Sequence, residues 1–237
     1  MLSLGIDCSD FGVSVALAYQ DELIVENTTA ANKRASKFLI TQIQQLFNNT
    51  GRSLTEVEKI AVASGPGSFT GLKIGVTAGK VLAAVNNAQI YGISSLKNLA
   101  YPLLGTRVPV LALISARHNN FYAGIYQKQG DKIINLMPDV YANFSVIKEN
   151  LSQFNDLIII GSGLDEIKED LEVAGRVVDV KENNLIPRGF STIILSSGEE
   201  PVEAGLFVPN YIRDPQAVLV WDKNNPDHEK INYVEEI

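Results

Sequence analysis

The sequence predicts an α/β protein built as two similar lobes, and three observations carry that expectation. The first 29 residues read as strand, turn, strand, turn, strand. Shifted by 108 residues, the chain repeats this pattern: Leu4-Gly-Ile-Asp7 falls on Ala112-Leu-Ile-Ser115, and Val13 to Leu17 falls on Phe121 to Ile125. Each meander is followed by helical patterning and a further buried strand, as expected of a sheet covered by helices.

In chain order, Leu2 to Ile6 is an apolar run ending at Asp7, and Cys8-Ser-Asp-Phe-Gly12 is a turn. Val13 to Tyr19 and Leu23 to Thr29 follow as strands around Gln20-Asp-Glu22. Asn32 to Asn49 is helical, because Phe38, Leu39, Ile43, Leu46 and Phe47 recur at three- and four-residue spacing and Gly51 ends the run. Leu54 to Glu58 is a short helical turn, and Ile60 to Ala63 is a buried strand.

That strand leads into Ala63-Ser-Gly-Pro-Gly-Ser-Phe-Thr-Gly-Leu-Lys-Ile-Gly-Val-Thr-Ala-Gly79, around which the chain is organised. Gly65, Pro66 and Gly67 forbid regular structure, and Ser68 or Thr70 offers an oxygen to cap a helix from about Thr70 to Val85. Gly71, Gly75 and Gly79 share one face of that helix. Three interior glycines cost roughly 3 kcal/mol against alanine, so a close approach must offset them. Either the protein's own sheet lies on that face, or another molecule docks there. Under the docking reading, Gly75→Leu abolishes partner binding and leaves the monomer folded.

Gln89 to Ile93 is a strand, and a helix starts at Ser94 or Ser95 and runs to about Leu104. Val108 to Ser115 opens the second half, with later strands around Phe121 to Ile125 and Lys132 to Ile134. Phe144 to Gln153 is helical, Leu157 to Ile160 a strand, and Gly161-Ser-Gly163 opens a helix to about Val173. Val177 to Val180 is a strand and Pro187 to Ser197 a helix. A turn-rich link from Gly198 to Gly205 leads to the extended Pro209-Asn-Tyr-Ile-Arg-Asp214, and the tail from Trp221 is polar and acidic. The expected division is 1–105, 106–220 and the tail 221–237.

A net charge of −7 argues against binding nucleic acid through a basic field. One cysteine, Cys8, and two histidines, His118 and His228, leave no disulfide framework and no cysteine or histidine metal cluster. The first seven residues carry no basic stretch and apolar run of a signal peptide, and no apolar run spans a membrane, so a cytoplasmic location is expected.

The glycine loop matches neither a Walker loop nor the dinucleotide fingerprint, because Gly71 is followed by Leu72-Lys-Ile74 and Gly65-x-Gly67 by three residues before Gly71. A phosphate or nucleotide site in another geometry would use Asp7, Ser9, Gly65, Gly67 and Ser68. Ser9, Ser68 and Ser115 have no histidine placed to activate them, and Asp7 has Ser115 as its counterpart in the repeat, which suggests a half-lost metal site. Arg213 could pair with a carboxylate or clamp a phosphate, and Gly161-Ser-Gly163 could receive an anion.

Ser64-Gly-Pro-Gly-Ser-Phe-Thr-Gly-Leu-Lys-Ile-Gly75 resembles the bacterial TsaB (YeaZ) family, as do Ile6-Asp-Cys-Ser9, Ser115-Ala-Arg117 and Pro209-Asn-Tyr-Ile-Arg213, in the same order. The resemblance covers roughly residues 1 to 215. It implies a duplicated, two-lobe actin-like (ASKHA, ribonuclease H-like) fold. It implies a non-catalytic scaffold or activating subunit of the machinery that makes threonylcarbamoyladenosine on tRNA, with no stand-alone activity. The catalytic paralogue would be a separate TsaD-like protein, with a TsaE-like ATPase completing the complex and tRNA engaged only through it. Docking, and self-association as a homodimer, would use the helices at 32–49 and 70–85, with Phe38, Ile43, Phe69, Thr70, Gly71, Lys73, Ile74, Gly75, Ala78 and Gly79 at the interface. No catalytic residue, metal or tightly bound cofactor is implied, although a nucleotide could sit at the partner interface. The chain departs from the family with Arg34-Ala-Ser36 where many relatives have His-Ser after the basic residue, and with Ser115 where many have aspartate. The alternative is an ATP-dependent phosphotransferase or hydrolase of the same fold using Asp7 and the glycine loops. A metallopeptidase finds no paired histidines here.

Overall fold

Alternation along the first strands sets the architecture. In β1 (Leu2–Asp7), Leu2, Leu4 and Ile6 point to one side and Ser3, Gly5 and Asp7 to the other. In β2 (Val13–Tyr19), Val13, Val15 and Leu17 join the large side, whereas Ser14, Ala16 and Ala18 line the small one. With β3 (Glu22–Thr29), β4 (Val57–Gly65) and β5 (Gln89–Ser94) they form a five-stranded sheet ordered β3-β2-β1-β4-β5. The β1–β2 and β2–β3 pairs are antiparallel, and β1–β4 and β4–β5 are parallel.

The computed structural model describes residues 1–10, 12–29, 35–162, 164, 166–167, 176–179 and 188–213. Its second sheet repeats the first. β6 (Val110–Ser115), β7 (Asn120–Gln129), β8 (Lys132–Asn143), β9 (Asp156–Gly161) and β10 (Arg176–Asp179) are ordered β8-β7-β6-β9-β10. The senses match pair for pair, and β6 stands 108 residues after β1. The duplicated two-lobe, actin-like fold is therefore present.

The large side of the first sheet is covered by α1 (Leu39–Thr50) and α2 (Phe69–Asn86). The expected helix at 32–49 is a 3-10 turn, Ala35–Phe38, followed by α1; residues 32–34 lie outside the described residues. Leu39, Ile43, Leu46 and Phe47 are its buried stripe, and Gly51 ends it in the left-handed region at φ 65°. The 3-10 turn Leu54–Glu56 opens on a capping box between Ser53 and Glu56.

The small sides are covered by helices exchanged between halves. α3 (Ser95–Ala100) starts at the end of β5 but packs Leu96 and Ala100 against β6 and β7 of the second sheet. α5 (Gly189–Leu195) follows the second half but packs on β1, β2 and β4. The alanines of β2 and β4 leave room for it. A side chain at Gly5 would collide with the Gly189 carbonyl, and Ser14 Oγ accepts the Gly189 N–H at 2.9 Å. On the remaining face of the second sheet, α4 (Phe144–Leu151) buries Phe144, Ile147 and Leu151. Most of the helix expected after Gly161 and the tail from Trp221, with His228, lie outside the described residues.

The segment after α5 works as a strap, which the sequence reading reduced to a link and an extended piece. The Val202 N–H donates to Ile90 O at 2.8 Å along the free edge of β5, Lys80 Nζ donates to Gly205 O at 2.7 Å, and Asn210 N–H donates to Ser64 O at 2.7 Å. Phe207, only 4% exposed, drives its ring into the core where Gly92 leaves space. Phe207→Ala is expected to cost about 3–4 kcal/mol in urea denaturation, since it empties a large buried volume and frees the strap.

Candidate protein interface

The glycine motif is a backbone clamp. A Cβ at Gly71 would overlap the Cys8 carbonyl oxygen, one at Gly67 the Ser9 oxygen, and one at Gly65 the Asn210 oxygen. Gly65 and Gly67 also sit at φ 134° and 157°, a region L side chains avoid. Three of the motif's donors are used within the clamp: Ser68 N–H to Ser9 O at 2.7 Å, Gly71 N–H to Ser68 Oγ at 3.3 Å, Leu72 N–H to Ser68 O at 2.8 Å. Ser68, rather than Thr70, is thus the helix cap.

This corrects the docking reading of the glycine face. Gly71 meets Cys8, Gly75 meets Cys8 and Ile6, and Gly79 meets Val62, Ile90 and Ile60, so the stripe lies on the protein's own β1 with the turn after it, β4 and β5. Ile43 is likewise in the core at 4% exposure. Gly75→Leu would drive a large side chain into Cys8 and Ile6 and damage the monomer. The other expected interface residues lie outward: Phe38, Phe69, Thr70 and Lys73 are exposed, and Ile74 and Ala78 half-buried. The sequence reading missed Ile40, Val81 and Val85, which are 55%, 54% and 74% exposed on the same helical layer. Their signal was apolar residues off the buried stripe.

The proposed phosphate residues also converge, but on one another. Asp7 is buried, and its Oδ1 accepts from Ser9 N–H at 2.8 Å and Ser9 Oγ at 2.7 Å. Its Oδ2 accepts from Asn98 Nδ2 at 2.6 Å, and Asn98 also donates to Arg188 O at 3.1 Å. Burial pushes the carboxyl above its usual range, and the Ser9, Asn98 and Arg188 donors pull against that. Asp7 therefore ties the end of β1 to the helix exchanged from its own half, α3, and to the residue before α5. Asp7 and Ser9 are thus paired with each other, and Gly65, Gly67 and Ser68 meet the Asn210 and Ser9 backbone. Among the described residues no group of three or more His, Cys, Asp or Glu side chains could hold a metal ion.

Elsewhere, Ser115 Oγ donates to Glu166 at 2.7 Å, and its N–H to Ser162 Oγ at 3.2 Å. A side chain at Gly161 would collide with Leu113 O, so Gly161-Ser162 is a packed turn; Gly163 lies outside the described residues. His118 is exposed in a turn where Arg117, His118 and Asn119 all have positive φ. Arg213 lies 4.6 Å from the Tyr141 ring centroid, and Tyr211 stacks on Phe69 at 4.9 Å. Arg34 is outside the described residues.

With this geometry in place, comparison with known proteins gives a consistent answer. Residues 25–159 match the family model described as TsaD: tRNA N6-adenosine threonylcarbamoyltransferase. The chain is 29% identical over 227 residues to the tRNA threonylcarbamoyladenosine biosynthesis protein TsaB of Bacillus subtilis, covering 93% of this chain and 98% of that one. It is 31% identical over 137 residues to the protein of the same description in Escherichia coli, covering 56% and 58%. The fold is that of YeaZ from Pseudomonas aeruginosa, with a TM-score of 0.74 at 24% identity over 89% of this chain and 99% of that one. No described helix is long and apolar enough to cross a membrane.

The clamp makes two neighbouring glycines behave oppositely. Gly75→Ala places its methyl in ordinary contact, 3.5 Å from Cys8 Cβ, and is expected to be neutral or to raise stability by up to about 1 kcal/mol through helix propensity. Gly71→Ala meets a rigid carbonyl and is expected to lower stability by about 2–4 kcal/mol. Thermal melts of both variants check the pair.

Proposed function

Because this chain belongs to the TsaB (YeaZ) family, under the family model of the tRNA N6-adenosine threonylcarbamoyltransferases, we propose that it serves threonylcarbamoyladenosine synthesis as a scaffold that binds and stabilises a TsaD-like catalytic paralogue. The observation that supports this reading most is the exposed apolar layer on α1 and α2. Phe38, at the end of the 3-10 turn, and Ile40, Val81 and Val85 are exposed, and Ile74 and Ala78 half-buried, on helices whose other sides are committed to the core. Surface apolar groups gathered on one helical layer favour a protein partner over water. In isolation the same layer would pair with a second copy. A TsaE-like ATPase joins the assembly, and tRNA is engaged through the partners, because a net charge of −7 gives this chain no cationic field for a phosphate backbone.

The chain contributes no catalysis of its own in this reading. Asp7 has both oxygens engaged by protein donors and anchors the two exchanged helices, and the Ser68, Gly71 and Leu72 amides of the glycine loop are bonded within the clamp. A nucleotide, if bound, would sit at the surface shared with the paralogue. Calorimetry of the isolated chain with Mg-ATP separates this from the phosphotransferase alternative. No tight binding is expected, and tight binding with turnover would favour the enzyme.

The direct test is co-purification of the TsaD-like paralogue with wild type and with Ile40→Glu/Val85→Glu. Both positions are exposed, so the variant is expected to melt as wild type does and to bind at least about tenfold more weakly, a loss of about 1.4 kcal/mol. Undiminished binding by the folded variant would remove this surface from the complex.

A further inference from the structure

A second polar cluster lies between the lobes, apart from Asp7, and the chain goes to some length to build it. From Ala123 to Tyr126 in β7 the paired residue in β8 moves from Val140 to Asn135, three steps on one strand against five on the other. The two extra residues form successive bulges around Pro138, and bulges re-aim side chains. The one re-aimed here is Asp139. Gly124 makes space for it, since a Cβ at that position would collide with Asp139 Oδ1. The carboxyl lies against two hydroxyls, accepting from the buried Tyr126 OH on one oxygen and from Ser94 Oγ at 2.6 Å on the other.

Ser94 is the last residue of β5, in the first sheet, and caps α3 by accepting the Lys97 N–H at 3.2 Å. The body of α3 packs on the second sheet. Ser94, Tyr126 and Asp139 thus form a triangle at the point where the chain passes from one lobe to the other. Its third side, Ser94 Oγ to Tyr126 OH, is 3.1 Å.

Counting protons on this triangle gives two states. Serine and tyrosine each have one hydroxyl hydrogen. When Asp139 is ionised both hydrogens go to the carboxylate, and the Ser94–Tyr126 side has none. When Asp139 carries a proton, all three sides are satisfied: Asp139 O–H to Tyr126, Tyr126 O–H to Ser94, and Ser94 O–H to the other Asp139 oxygen. We propose that Ser94, Tyr126 and Asp139 form a proton-operated clasp between the lobes, a closed ring when Asp139 is protonated that opens on the Ser94–Tyr126 side when the proton leaves to solvent.

The surroundings suit a titrating group. Burial raises the Asp139 carboxyl above its ordinary range, while the Ser94 and Tyr126 hydrogen bonds and the Lys97 charge pull it down. Lys97 on α3 is itself held by Glu199, 2.7 Å away at the start of the strap. Burial, then the Asp139 charge and hydrogen bond, push the Tyr126 phenol up, so it stays a donor. Lys97, Glu199 and Tyr126 are the charged and titratable groups facing the clasp from α3, the strap and β7. A carboxyl raised on folding favours the folded state below its ordinary value near 3.8 and loses that contribution as pH rises through the folded value.

The test compares amide hydrogen exchange of α3, residues 95–100, in wild type and Asp139→Asn from pH 4 to pH 8, taking the ratio at each pH so that intrinsic exchange cancels. The amide places an NH2 donor and a carbonyl acceptor where the protonated carboxyl has its O–H and C=O, and it cannot titrate, so it mimics the closed ring. Exchange of α3 is expected to be equal at the acid end and faster in wild type by about fivefold or more once Asp139 ionises. A ratio constant with pH would overturn the clasp, because a merely structural role shifts exchange equally everywhere. Tyr126→Phe, which keeps the ring in its buried place and deletes two sides of the triangle, is expected to flatten the pH dependence of wild type. If Asp139→Asn does not fold, persistence of that dependence in Tyr126→Phe would be equally fatal.

Discussion

Backbone touching backbone at the glycine loop is the interaction on which the rest of the first lobe depends. The Cα of Gly71 rides on the Cys8 carbonyl, Gly67 on Ser9 and Gly65 on Asn210, so the β1–β2 turn, the end of β4, the start of α2 and the strap meet at a point no side chain can enter. The helix tolerates three glycines because the distance they permit sets α2 close over β1 and β4, where Val76, Leu72 and Ala83 fill the core. The motif's composition is then explained by the fold, with no ligand invoked. Dispersion attraction between α2 and the sheet, summed over the length of the helix, offsets the propensity lost at three positions.

A second consequence concerns where function can lie. In a duplicated two-lobe protein the junction between lobes is the natural place for a ligand. Here it is crossed by the exchanged helices and pinned by Asp7, whose acceptors are filled by Ser9 and Asn98. On the outer side of α1 and α2, Ile40, Val81 and Val85 are exposed. The comparisons tie the chain to threonylcarbamoyladenosine biosynthesis, and its buried Asp7 holds elements of the fold together.

The sheets were legible because their strands are apolar runs bounded by turn residues, and the 108-residue echo places β6 where β1 demands. The second half of β8 was not: Pro138 and the bulges break its alternation, so residues 135–143 do not read as strand. Helical spacing shows that Gly71, Gly75 and Gly79 share a face, but the direction of that face depends on Cys8, Val62 and Ile90, which spacing does not reveal. The same limit hid Asp139, whose partners Ser94 and Tyr126 lie 45 and 13 residues away. The nucleotide-loop residues do lie together in the fold. Their types suit a phosphate cradle and a backbone clamp equally, and the clamp depends on the positions of Ser9 O and Asn210 O, which the sequence does not reveal.

The exchange of helices has an outcome on the ribosome. α3 is synthesised before the sheet it covers, so the second lobe emerges with its cover waiting. The first lobe has the reverse order, because Leu195, at the end of α5, lies 101 residues beyond Ser94. At about 5–20 residues per second, one face of the nascent first sheet stands bare for roughly 5–20 s. That face carries Ser3, Gly5, Ser14, Ala16, Ala18 and Ala61, with Ile93 and Tyr91 at its β5 end, whereas Leu, Ile and Val crowd the face whose helices, α1 and α2, are already made. Small side chains there admit α5 at close range, and until it arrives they also keep the half-made protein from sticking to its neighbours.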